Sequence, residues 1–99
     1  MSAPDLICAA IAQRRLLLFA YNDRQRLAYP CAHGHLSTGN EALRAHEVTA
    51  VDGHRRVSAG KLFLVVLMFD IALSDEPFEH PPHGYHRDDR GMVAIHCQL

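Results

Sequence analysis

Tryptophan is missing from this 99-residue chain, and lysine occurs once; the other nine cationic side chains are arginine. No long apolar run is present. The longest, LFLVVLMF from Leu62 to Phe69, is far short of the roughly 20 residues that a membrane-spanning helix needs, so no membrane partner is expected. The first residues, MSAPDLICAAIAQRR, carry no basic stretch ahead of their apolar positions, and a signal peptide is not expected. Cysteines are three, Cys8, Cys31 and Cys97, widely spaced and without a CxxC pair. An odd, unpatterned set is a poor disulfide framework, which predicts buried or idle thiols and a reducing, cytoplasmic location. Nucleophile motifs are absent too: Ser58 and Ser74 lie outside any elbow-like context. No catalytic residue, cofactor or enzymatic activity is expected.

What is present suits one soluble domain. A chain that is 48% hydrophobic and 21% charged can build a single modest core and has no room for a separate active-site domain. The net charge is −1, but unevenly spread. Between Arg14 and Lys61, eight basic residues face four acidic ones; from Leu62 onward, six acidic residues face Arg87 and Arg90. The arginine-rich half suits an anionic ligand, since the planar guanidinium forks onto phosphate and carboxylate. It equally suits internal pairing with the acidic half.

Ser2 with Asp5 three residues on has the form of a capping box, and Leu6, Ile7, Ala10 and Ile11 recur at helical spacing. These predict a helix within residues 1–15. LLLFAY, Leu16 to Tyr21, ended by Asn22-Asp23, reads as a strand and turn. RQRLAYP, Arg24 to Pro30, is the return strand, with its proline at the end. HGHLSTGN reads as a turn. EALRAHEVTAV alternates as a strand, with Ala42, Arg44, His46 and Val48 on one side, although its composition also suits a helix. DGHRRVSAG reads as a loop, and KLFLVVLMFDIALSD as one long strand or as two broken near Asp70. The segment EPFEHPPHGYHRDDRG is irregular, and MVAIHCQL fits a short strand or a short helix. One helix, about five strands and an irregular tail predict a mainly β fold, a small five-stranded barrel over residues 16–76 with a tail over 77–99. Residues Leu16–Leu18 and Leu62–Phe69 are apolar on both strand faces. The outer face therefore needs the helix, the tail or a second subunit. A homodimer is expected, with Leu62, Leu64, Val66 and Met68 at its interface.

Read in order, AIAQRRLLLFAY, Arg26-x-x-x-Pro30, Gly34 and Gly39, EALRAHEV, KLF and DEPF resemble the WYL domain of bacterial regulators, closest to short stand-alone members with a Gly-Tyr tail. The resemblance covers nearly the whole chain. It implies an SH3-like (Sm-like) β-barrel with an N-terminal helix, acting as a ligand-sensing module in transcriptional regulation; some members bind single-stranded nucleic acid through basic barrel residues. The naming triplet falls at Glu41-Ala42-Leu43, where only Leu43 matches, and Leu64, Val65 and Val66 stand where the family often carries charge. The second departure shifts weight from ligand sensing toward oligomerisation. About fifteen residues precede the first strand, so an appended helix-turn-helix reading head is not expected.

Chemistry-bearing residues form three groups. Arg24, Arg26, Arg44, Arg55 and Arg56, with His46 and Lys61, are candidates for an anionic ligand or nucleic acid, and Tyr21 and Tyr29 could offer stacking faces or fill the core. Eight histidines are present: His33, His35, His46, His54, His80, His83, His86 and His96. His80, His83 and His86 recur every third residue, but Pro81 and Pro82 prevent the helix that would bring them together as a metal set. Cys31 near His33 and His35 is the one adjacent thiol–imidazole pairing, and a flexible glycine follows His33. The remaining group is the tail itself. Tyr85, Asp88 and Asp89 can anchor residues 80–91 as a strap over the basic half, and its histidines would make that closure pH-sensitive.

Overall fold

The computed structural model describes residues 1–99. Helix α1 (Ala3–Gln13) opens with the Ser2 hydroxyl accepting the Asp5 amide at 3.3 Å and a proline in the first turn. It stops at Arg14, whose left-handed backbone returns its N–H to the carbonyls of Ala10 and Ile11. Six strands follow: β1 (Arg15–Tyr21), β2 (Arg24–His35), β3 (Glu41–Val51), β4 (His54–Leu64), β5 (Phe69–Pro77) and β6 (Ala94–Gln98). They form one antiparallel sheet in the order β4-β3-β2-β1-β5, with β6 pairing to β2. The expected five-stranded barrel is thus corrected to a six-stranded sheet that does not close, with β4 and β5 as its ends.

Two tight turns set the registers. Asn22-Asp23 and Asp52-Gly53 all have positive φ, and they join Tyr21 to Arg24 and Val51 to His54 as two-residue hairpins. Both central residues in that region define the turn whose twist matches the flanking strands. DGHRRVSAG is therefore a hairpin turn running into β4, not a loop. Its polar side chains hid the strand because β4 is a mostly solvent-facing edge. The long apolar segment breaks earlier than Asp70, at a 3-10 turn over Val65–Leu67, and β5 begins at Phe69. The C-terminal residues resolve to strand.

Strand β2 runs past Pro30, which the sequence placed at its end. The ladder to β3 shifts register between Pro30 and Ala32, and such a bulge accommodates a strand proline. The other edge of β2 is divided: residues Arg24–Ala28 pair with β1 and Ala32–His35 with β6. This division needs Gly34. A Cβ there would lie 2.0 Å from the Ala94 carbonyl oxygen, so only glycine lets β6 approach.

The sheet's two faces are covered differently. Helix α1 places Ile7, Ala10 and Ile11 against Leu17, Phe19, Ala28, Leu43, Ala45, Phe63, Val65 and Met68. Phe19, Tyr21 and Phe63 meet edge to face with centroids 5.0–6.4 Å apart, an arrangement aromatic pairs favour. Because strand side chains alternate, Ala42, Arg44 and His46 face the other way. There the tail lies over them, with Met92 packed on Ala32 and Ala42, and Phe78 against Tyr29 at 5.1 Å.

Candidate functional site

The alternation of β3 and the course of the tail create a polar cleft of about 650 Å3, lined by Arg44, His46 and Gly60 from the sheet and by residues 84–91. Arg44 reaches into it from β3. Its Nε and Nη2 donate to the two Asp89 carboxylate oxygens at 2.6 and 3.2 Å. Asp89 also accepts the Gly91 amide at 2.8 Å. The Tyr85 hydroxyl and the Arg87 guanidinium both donate to the Leu99 carbonyl at 2.7 Å. The Gln98 side chain accepts the Asp88 amide and donates to its carboxylate, at 2.9 and 3.0 Å. Tyr85, Asp88 and Asp89 therefore anchor the tail, as a strap bound to Arg44 on one side and to the β6 end on the other.

The electrostatics follow from these contacts. Hydrogen bonding from Arg44 holds the Asp89 carboxyl below its ordinary range, against a smaller opposing effect of burial. Burial lowers the His46 pKa, the Ser58 carbonyl that accepts from its Nδ1 at 3.0 Å opposes this, and the Arg44 charge adds to the lowering. Both groups bind a proton less readily folded than unfolded, so both contribute stability at higher pH and lose it on acidification. The His46 contribution is complete above its unfolded value of about 6.5 and falls away as pH drops through the lowered folded value. The Asp89 contribution is complete above about 3.9 and is lost as pH falls through its own lowered value. We expect the thermal midpoint to be flat between about pH 7 and about pH 8 and to decline in two stages below that. Asp89→Asn should reduce the lower stage, to which Glu76, held low by Arg55, also contributes. Above about pH 8.5 the midpoint falls again, because the unfolded Cys31 thiol ionises and the buried one does not. A midpoint that rises on acidification below about pH 7 would contradict this account.

The basic candidates are dispersed. Arg26 is buried, with 7% of its surface exposed; it pairs with buried Glu47 at 2.9 Å and donates to the Tyr21 carbonyl. Lys61 lies 3.6 Å from the same Glu47, and Arg55 forks onto Glu76. Arg24 and Arg56 are exposed and in no ion pair. The seven residues do not converge on one face. Tyr21 belongs to the core, its hydroxyl accepting the Leu64 amide at 3.1 Å. His80 and His83 are exposed and His86 lines the cleft, and the three do not gather into a ligand set. At the expected interface, Val66 and Leu62 are exposed, Leu64 is half-buried and Met68 is in the core. Cys31 is buried, and burial raises its thiol to about 12 despite Arg44 nearby. A thiol so far from ionisation is no nucleophile at neutral pH.

A second constellation escaped the sequence reading. Cys8 on α1 and Cys97 on β6 form a disulfide across a separation of 89 residues, which corrects the expectation of buried or idle thiols for these two, though not for Cys31, and removes the argument for a reducing compartment. No helix is long and apolar enough to cross a membrane. His33, opposite Cys97 in the β2–β6 ladder, places Nδ1 3.7 Å from the Cys8 sulfur and Nε2 2.9 Å from a Glu41 carboxylate oxygen. His96 stands beside it, its Nε2 2.6 Å from Nδ1 of His35. No spacing motif announced this group, because its members come from both ends and the middle of the chain. Compared with known proteins, the chain finds no matching family model, curated protein or solved structure.

Proposed function

We propose that this chain is a non-enzymatic regulatory binding module, WYL-like in kind, that takes a small anion in the cleft beneath the tail. The Arg44–Asp89 clamp carries this reading. A two-point guanidinium–carboxylate contact is the geometry with which arginine holds carboxylates and phosphates, and Asp89 occupies it as a tethered internal anion. Arg87, Arg90 and His86 line the same cleft. A ligand carboxylate or phosphate that replaces Asp89 frees the strap from Arg44 while Tyr85, Arg87 and Asp88 keep it fastened to Gln98 and Leu99, so binding and release of the Asp89 clamp are one event. In this reading the open six-stranded sheet is a variant of the SH3-like barrel that the resemblance implies. The scattering of the other cations, most already paired, favours a small ligand over a nucleic-acid strand, which needs a continuous basic track.

Calorimetry at low salt with inorganic phosphate and with citrate tests the proposal. Asp89→Asn, which weakens the internal competitor, is expected to bind at least about tenfold tighter than the parent chain, and Arg44→Gln to lose binding. The reading fails if neither anion binds the Asp89→Asn chain, or if Arg44→Gln binds as well as the parent.

A second reading, a homodimer, is favoured by one observation. Val66 is 75% exposed, and Leu67 and Phe69 beside it are 44% and 62% exposed, a short apolar ridge next to the start of β5. In this reading Val66 and Leu62 remain interface residues, and Leu67 and Phe69 replace Leu64 and Met68.

A further inference from the structure

We propose that Cys8, Cys97 and His33 form a zinc site when the disulfide is reduced, so that this end of the fold is held by a covalent cross-link under oxidising conditions and by a metal under reducing ones. The donor atoms of these three residues all lie within 4.8 Å of one another, and no other group of three metal-type side chains gathers this closely. Tetrahedral zinc with bonds of about 2.3 Å to sulfur and 2.0–2.1 Å to nitrogen sets sulfur and nitrogen about 3.5 Å apart. The Cys8 sulfur and His33 Nδ1 already stand at 3.7 Å. Only the two sulfurs, bonded to each other when oxidised, must move apart, and side-chain rotation supplies this while the Cα atoms stay 5.8 Å apart.

His33 is set up for this role. Its ring is buried, at 3% exposure, and the Glu41 carboxylate accepts from Nε2 at 2.9 Å. The carboxylate can only accept, so Nε2 carries a proton, and Nδ1, which faces Cys8, is the nitrogen left to bind a metal. A carboxylate behind the distal nitrogen is the usual support of a metal-bound imidazole. In the disulfide form Nδ1 faces a sulfur with no hydrogen to donate. The three ligands come from three regular elements, α1, β2 and β6, and His33 and Cys97 are direct ladder partners. Two thiolates neutralise the metal's double charge, which suits a half-buried site. With three protein ligands, the fourth position falls to a water.

The chemistry balances with one co-reactant. A dithiol reductant gives two electrons and two protons to the Cys8–Cys97 bond, yielding two thiols and its own disulfide. Zinc then binds both sulfurs with release of two protons.

The test uses the intact chain and a phosphine reductant, which converts the disulfide and one water to two thiols and a phosphine oxide and does not itself offer thiols to the metal. The reduced chain is expected to take up one zinc per molecule and the oxidised chain none. Cobalt in its place is expected to show the intense visible bands of a tetrahedral site and thiolate charge transfer in the near ultraviolet. His33→Ala should lose at least about tenfold in zinc affinity, and Glu41→Gln about 10–100-fold. Should reduction unfold the metal-free chain, added zinc is expected to restore the β-sheet circular-dichroism signal. The proposal is overturned if the reduced chain binds no stoichiometric metal, if cobalt gives only octahedral bands, if His33→Ala binds unchanged, or if zinc fails to refold an unfolded reduced chain.

Discussion

Replacing Cys97 with serine, in the presence of a chelator, is expected to lower the unfolding free energy by roughly 2–5 kcal/mol. The cross-link joins positions 89 residues apart, so it confines nearly the whole unfolded chain. The loop-entropy account gives about 4–5 kcal/mol for a ring of that size. The loss is large against the roughly 5–15 kcal/mol that a domain of this kind holds in total. It will also be uneven. Strand β6 is five residues long, pairs along part of one edge of β2, and supports the strap through Leu99 and Gln98. Amide exchange should therefore accelerate first in residues 85–99 and last in β1–β3. Urea titrations of the oxidised chain and the variant measure the total; a difference below about 1 kcal/mol would mean that the unfolded chain is already compact without the link.

The second large effect lies at Arg26. Glu47→Ala should cost about 3–5 kcal/mol, because it strands a buried guanidinium whose Nε already has no partner. Lys61, mostly exposed and 3.6 Å from Glu47, contributes little by comparison, since solvent screens such pairs. The cost belongs to the orphaned charge rather than to the pair. The double variant Arg26→Met with Glu47→Leu should accordingly recover most of the loss, as apolar replacement of a buried pair commonly does. Urea midpoints of the two variants decide the matter: a double variant as unstable as the single one would show that the pair itself holds β2 to β3.

Local signals in the chain made part of this fold legible. The helix was readable because Ser2, Asp5 and the Ile7–Ala10–Ile11 spacing are local signals, and each acts in the structure as local physics requires. The β1–β2 turn was readable at Asn22-Asp23 for the same reason. The first part of strand β4, residues 54–60, was not, because an edge strand that faces water carries no apolar alternation, and the Asp52-Gly53 turn sits inside an apparent loop. Arg26 and Arg55 looked like ligand-binding residues because their charge is visible in the chain, whereas Glu47 and Glu76, which neutralise them, are 21 residues away.

The sequence by itself determined a mainly β fold with a capped N-terminal helix, apolar strands needing cover on both faces, and a tail whose tyrosine and aspartates could fasten it. Those properties follow from periodicity, turn chemistry and charge, which act over a few residues. Tertiary structure alone decided that the sheet stays open, that Asp89 seeks Arg44, and that Cys8, His33 and Cys97 meet. Each depends on which distant segments share an edge of β2, and the close approach allowed by Gly34 sets that edge.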